Sequence, residues 1–266
     1  MTSSPHADAD ARPAAALAAL TTRALGTCAR TPSLLLTPLF TSAFFLVIYE
    51  AQLSAVAGTA TPGGRYVDLV LPLCLLTTAF TGGATAGQLL VRDITSGYHA
   101  RLWLTPVPRW APLAAPVLAG IAVLTAQAAA LTGLGVLLGA TPAAGPGALA
   151  ALVGATVLLG TGFLLLAAAV GLHTRNTAAV GSVTLVFFPL SFFTATFVPR
   201  DLLGGWMGTA ADLNPLTPPL EALRGLLALD WPDQTPWPGA AVTAVILVLG
   251  AVAARLALVR RTRTGV

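Results

Sequence analysis

Apolar residues run along this chain in long blocks, not in the alternation of a half-buried strand or the one-sided stripe of a soluble helix. Six blocks stand out, at 33–49, 69–91, 112–139, 148–172, 178–198 and 239–259. Crossing a hydrocarbon layer of ~30 Å takes about 20 apolar residues at ~1.5 Å rise per residue. Charges mark where the blocks stop, because an Asp, Lys or Arg at a helix centre costs roughly 2.5–3.5 kcal/mol on insertion. Arg255 is the one arginine inside a block, and it lies close enough to Arg260 to snorkel to the interface. The expected fold class is therefore all-α: a polytopic integral membrane protein with six transmembrane helices over 32–260, preceded by a tail at 1–31 and followed by a basic tail at 261–266.

Between the blocks, two hydrophilic segments have internal order. Residues 92–111, joining the second and third spans, read RDITSGYHARLWLTPVPRWA. There Asp93 is placed to cap a short helix carrying Tyr98, Arg101 and Leu102, with Thr105-Pro106 stopping it. A solvated basic connector in which Asp93 pairs with Arg101 is the alternative reading. Residues 199–238 form a long loop between the fifth and sixth spans. Within it Thr217-Pro218 reads as a cap and first helical residue, and Leu220, Leu223, Leu226 and Leu227 follow at helical spacing. This predicts a short amphipathic helix on, or re-entering, the outer leaflet, with Glu221 and Arg224 one turn apart. Leu17, Leu20 and Leu25 amid alanines predict a further, interfacial helix over 14–30.

Composition and charge then fix class and orientation. The chain is 56% hydrophobic and 9% charged, against roughly 25% charged in soluble domains. With the N-terminus inside, eleven arginines (12, 23, 30, 92, 101, 109, 175, 255, 260, 261 and 263) face the cytoplasm and three (65, 200 and 224) face outwards. The positive-inside bias therefore puts both termini in the cytoplasm. The net charge of +4 reflects these loops and does not point to nucleic acid. A cleavable leader is not expected, since the apolar run from Ser33 to Tyr49 exceeds a signal peptide's core of ~7–15 residues.

Chemistry within the spans is sparse. His6, His99 and His173 are scattered over a tail and loops, without metal-ligand spacing, and Cys28 and Cys74 suggest neither a zinc site nor a disulfide. No catalytic, metal or cofactor-binding residues are expected. Span interiors offer only Gln88, Gln127 and hydroxyls, so a proton-driven carrier is disfavoured. All fourteen basic residues are arginine, which leaves no lysine for a phosphate-binding loop of the Walker type. Gly83/Gly87 and Gly135/Gly139 match the small-residue spacing of close helix packing. Phe187, Phe188, Phe192 and Phe193 form an aromatic stripe consistent with a lateral cargo cavity, with helix packing, or with lipid contact.

Two segments carry a resemblance. Asp93-x-x-x-Gly97-x-x-x-Arg101-x-x-x-x-Pro106-x-x-Arg109 resembles the cytoplasmic signature of permease subunits of type-2 ABC transporters, especially the daunorubicin-resistance type. Phe197-Val198-Pro199, Trp206, Asn214-Pro215 and Glu221-Ala222-Leu223-Arg224 resemble that family's stretch after the fifth span. Asp93 replaces a glutamate common in the family, and Tyr98 stands where many relatives have a hydroxyl residue. The resemblance implies a subunit that forms a homodimer, or a heterodimer with a similar permease, in a bacterial plasma membrane and in contact with membrane lipid. It implies export of a lipophilic, drug-like or lipid-linked substrate, with ATP and Mg bound by a separate ABC ATP-binding subunit. In that picture the segment around Gly97 is a coupling helix: Arg101 makes charge contacts with the ATPase, Asp93 positions the helix, and Tyr98 and Leu102 pack into the ATPase cleft. Pro106 and Arg109 complete the signature, and Pro199, Trp206, Asn214, Pro215, Glu221 and Arg224 shape or gate the outer side. A membrane-embedded lipid-modifying enzyme would need clustered acids on the cytoplasmic face, where Asp93 stands alone. A non-transporting assembly protein would differ in not co-purifying with an ATP-binding subunit.

Overall fold

In the computed structural model the described residues are 5–53, 66–102, 107–108, 110–142, 145–194, 204–227 and 236–264. They form ten helices in chain order: α1 (Pro5–Arg30), α2 (Pro32–Leu53), α3 (Tyr66–Thr95), α4 (Tyr98–Leu102), α5 (Ala111–Leu137), α6 (Pro146–Thr174), α7 (Thr177–Phe192), α8 (Trp206–Leu213), α9 (Thr217–Gly225) and α10 (Trp237–Thr264). No strand occurs among the described residues. Pro106, Arg109 and Pro199 lie outside them.

Five helices are long and apolar enough to cross a membrane: Pro32–Gln52, Tyr66–Thr95, Ala111–Leu137, Pro146–Thr174 and Trp237–Arg260. The sixth expected span corresponds to α7, an apolar helix of 16 residues. At ~1.5 Å per residue such a helix is shorter than a ~30 Å hydrocarbon layer, and the rest of the expected span, from 195 on, is not among the described residues. Local chemistry sets the boundaries of α6 and α7. Gly145, at φ 76°, leads into Pro146 at the start of α6, and the Asn176 side-chain oxygen caps α7 by accepting the Ala178 N–H at 2.8 Å.

α3 is the central post. It packs against α2, α5, α6 and α7, while α10 lies on the far side of α6. Close backbone approach makes the α3–α6 contact. A Cβ added at Gly83 would meet Phe163 Cβ at 2.6 Å, and one at Gly87 would collide with the Ala167 carbonyl. The Gly83/Gly87 spacing thus marks a packing face, as expected. Gly139 does not belong to such a face: with φ 100° it lies in the turn after α5, which has already ended at Leu137. Buried hydroxyls join α2 to α3, where Ser42 Oγ and Thr78 Oγ1 are hydrogen-bonded at 2.8 Å and both Thr77 and Thr78 donate to the Cys74 carbonyl. Gln127 of α5 donates to the Leu35 carbonyl of α2 at 2.8 Å, just before Pro38 of that helix. Exposed Leu36, Phe40, Phe44, Leu185, Val186, Val248 and Leu249 give α2, α7 and α10 an apolar outer surface suited to lipid.

α1 is amphipathic and packs through Ala24 and Cys28 on Leu89 of α3 and on Ala119 and Val123 of α5. α9 is amphipathic too, but its leucines are not spread on a surface. Leu216, Leu220, Leu223 and Leu227 join the main core with Leu71, Phe80 and Leu152. Its start differs from expectation by one residue. Leu216 occupies the cap position without a side-chain bond, and Thr217 is the first helical residue, its hydroxyl donating to the Ala211 carbonyl at 2.7 Å.

Candidate functional site

Arg23, Arg92, Asp93, Arg101 and Arg175, all expected on the inner side, gather around the end of α3 and the α6–α7 turn. Helix α3 runs one turn past its apolar block to Thr95, so Asp93 is helical and does not cap α4. Instead its carboxylate takes two bonds from Arg23 of α1, at 3.0 and 3.2 Å, with the arginine 39% and the aspartate 13% exposed. The same guanidinium lies 3.4 Å from the centre of the Tyr98 ring. Asp93 is therefore paired with Arg23, 70 residues away, and not with Arg101. Gly97, at φ 71°, makes the sharp turn into α4 and its carbonyl accepts the Arg101 N–H. Arg101 is exposed and Leu102 half-buried. Next to Asp93, Arg92 donates to Thr31 Oγ1 at 2.8 Å in the α1–α2 turn. Two adjacent residues of α3 thus clamp α1 along its last two turns. Burial pushes the Cys28 thiol on that stretch up from its ordinary value.

Alongside this clamp a groove opens between α2, α3 and α7. A cavity of 430 Å³ is lined by Thr37 and Thr41 of α2, Thr81, Thr85 and Gln88 of α3, and Thr184 of α7. Thr41 and Thr81 donate to carbonyls of their own helices at 2.9 and 2.6 Å, leaving lone pairs for another donor. The Gln88 side chain makes no hydrogen bond among the described residues, in contrast to that of Gln127. A second cavity, of 830 Å³, shares Leu34 and Gln88 as walls and continues to the arginine-rich end, where Arg92, Thr95, Thr174 and Arg175 surround it. Together they make a continuous hydroxyl-lined path into the bundle. Such polarity facing a membrane interior is costly unless water, a partner or cargo meets it.

At the opposite end Glu221 acts electrostatically on Arg224, as part of a larger group. Arg224 is influenced by Glu221 and by the Tyr66 phenol at the start of α3, and Tyr66 in turn by Tyr49 and Glu50 of α2. Burial pushes Arg224 down to about 10, with Glu221 and then Tyr66 acting the other way, so the guanidinium stays charged at neutral pH. Asn214 is 4% exposed and bridges elements: its amide donates to the Leu190 carbonyl of α7 at 2.6 Å, and its oxygen accepts the Leu216 N–H at 3.0 Å. Pro215 follows it in the turn into α9. Trp206 is 71% exposed at the start of α8, with Phe193 at 6.3 Å between ring centres.

The aromatic stripe divides. Phe187 packs edge-on against Phe163 at 4.7 Å, inside the α3–α6–α7 contact. Phe188 and Phe192 pair at 5.3 Å, and Phe192 and Phe193 are exposed. Neither cavity of the groove is lined by any of the four. Arg23, Glu50 and Tyr66 carry no sequence signal as members of these clusters, since their partners are distant along the chain. Residue type alone pointed to Gln88 and the span hydroxyls.

Comparison with known proteins agrees with this arrangement. Residues 15–228 match the family model described as ABC-2 type transporter. Two relatives, from Mycobacterium tuberculosis strains CDC 1551 / Oshkosh and ATCC 25618 / H37Rv, carry the name "Probable doxorubicin resistance ABC transporter permease protein DrrC". Each is 29% identical over 209 residues, covering 78% of this chain and 75% of the relative. Because the family match extends over most of its length and its helices are built to cross a bilayer, the chain belongs to the ABC-2 type transporter family, as a multi-pass membrane permease.

Proposed function

We propose that this chain is the permease subunit of an ATP-driven exporter that moves a lipophilic, drug-like or lipid-linked compound out of the cell. A separate ABC ATP-binding subunit hydrolyses ATP with Mg, since the chain has no lysine for a Walker-type loop. The observation that carries the reading is the hydroxyl-lined groove between α2, α3 and α7, open at the arginine-rich end. The relatives' name supports a drug-like cargo. The arginine distribution supports a cytoplasmic placement of that end, with both termini inside a bacterial plasma membrane.

In this mechanism the ATPase pushes on α4. Gly97 joins α4 to α3, and the Arg23–Asp93 pair with the Tyr98 stack ties both to α1. A displacement of α4 is therefore passed to α1 and α3 together, and α3 is one wall of the groove. Arg101, exposed on α4, is the group for charge contact with the ATPase, with Tyr98 and Leu102 on the same short helix. A second copy, or a similar permease, closes the groove's open side. Trp206 and the Asn214–Arg224 segment form the exit side.

The test is transport in vesicles containing the chain and its ATPase. Gln88→Leu combined with Thr81→Val removes groove hydrogen bonding and keeps side-chain volume. Transport is expected to fall roughly tenfold, the equivalent of one or two lost neutral hydrogen bonds, with assembly unchanged. Unaltered transport would remove the groove from the cargo path.

A further inference from the structure

The mouth of the groove differs in charge from its interior. Among the described residues its cavity is bordered by two arginines, Arg92 from the end of α3 and Arg175 from the α6–α7 turn, and by no acidic residue. Asp93, the acid nearest in sequence, is taken up by Arg23 on α1. Arg92 spends one guanidinium nitrogen on Thr31, which fixes the side chain and leaves its other donors available. The Arg175 backbone N–H donates to the Gly171 carbonyl at 3.0 Å, while its guanidinium makes no hydrogen bond or ion pair among the described residues.

Arg175 also holds an unusual backbone conformation. It is the one residue other than glycine with positive φ among the described residues, at 54°, and it ends α6 where glycine is the usual occupant. The α7 N-terminus borders the same cavity through Asn176 and Thr177, adding the positive end of a helix dipole. Deeper in, the path turns neutral and hydroxyl-lined at Thr37, Thr81 and Thr85. α2 and α7 both lean on α3 and leave the groove between them, flanked by the apolar surface of Leu36 and Phe40. A ligand matching this sequence of surfaces has an anionic group at one end and an apolar chain reaching into the membrane.

We propose that Arg92 and Arg175 form a binding site for the phosphate or carboxylate of an amphiphile entering the groove from the inner leaflet. The proposal rests on the groove being the cargo path and adds the charge class of the cargo. Planar guanidinium groups suit a tetrahedral or planar oxyanion through paired hydrogen bonds.

Titration calorimetry on the full chain in phosphatidylcholine nanodiscs tests it, with octyl phosphate as probe and octyl trimethylammonium and inorganic phosphate as comparisons. Arg175→Gly removes the charge and places the residue best suited to this φ, so folding is retained. Arg92→Gln tests the second arginine, and Arg255→Gln, exposed on α10, is the charge control. Octyl phosphate affinity is expected to fall about tenfold in Arg175→Gly and in Arg92→Gln, the equivalent of one charge-assisted hydrogen bond, and to stay unchanged in Arg255→Gln. Equal affinity in all the variants, or equal binding of octyl trimethylammonium, would overturn the site. Inorganic phosphate binding as tightly as octyl phosphate would overturn the amphiphile in favour of a free anion. No ATPase or transport step enters the measurement. Loss of the anion site therefore leaves ATP-driven export of an uncharged cargo standing, and failure of export leaves the binding result intact.

Discussion

Arg23 does two jobs with one guanidinium, pairing with Asp93 and stacking on Tyr98. Both contacts are partly exposed, so each contributes modestly: ~0.2–1 kcal/mol for the ion pair and ~0.5–1 for the stack. Arg23→Ala should lower thermal stability in detergent by roughly 1 kcal/mol. Arg23→Lys should recover only part of that, because an ammonium cannot match the fork geometry. Asn214 is the opposite case, buried and fully used. Asn214→Ala leaves the Leu216 N–H without its partner and takes one of two donors from the Leu190 carbonyl, which keeps the Phe193 N–H, and the expected loss is about 1–3 kcal/mol on the same unfolding measurement. Spacing singled out Asp93 and the family resemblance pointed to Asn214, but their partners are set by tertiary contact. Asp93 read as a cap because its apolar block ends at Val91, whereas helical hydrogen bonding continues through the polar residues beyond.

Among the elements, α1 and the α3–α6 contact make separable predictions. In a Cys74→Ala background, maleimide labelling of Cys28 reports the docking of α1, since that thiol is 1% exposed and its raised pKa reduces thiolate. Labelling at pH 8 should be slow, and Asp93→Ala should accelerate it by releasing the clamp. An unchanged rate would mean that α1 is held by its apolar face alone. Gly87→Ala places a methyl against the Ala167 carbonyl and should destabilise the bundle by roughly 1–3 kcal/mol in thermal unfolding. Gly133, which has open space around it, should tolerate alanine. Helix existence was legible because charge is excluded from span interiors, and α9 was legible from its leucine spacing. The burial of those leucines in the core was not, because periodicity reveals an apolar face without revealing what covers it. The left-handed Arg175 left no trace in the residue pattern, since arginine carries no conformational signature of that kind.

At the scale of the molecule, one central helix connects both ends. α3 carries the clamp and the α4 turn at one end, the groove wall in its middle, and Tyr66 beside Arg224 at the other. A force applied at α4 therefore has a rigid route to the groove and to the opposite end. The central claim is that this permease is driven through α4 by a separate ATPase, and reconstitution tests it most directly. Vesicles holding the chain and its ABC ATP-binding partner should show cargo uptake that requires ATP and both proteins. Arg101→Glu should abolish the uptake while leaving the permease folded. ATP-dependent uptake that persists undiminished in Arg101→Glu, or uptake by the chain without any ATPase, would contradict the account.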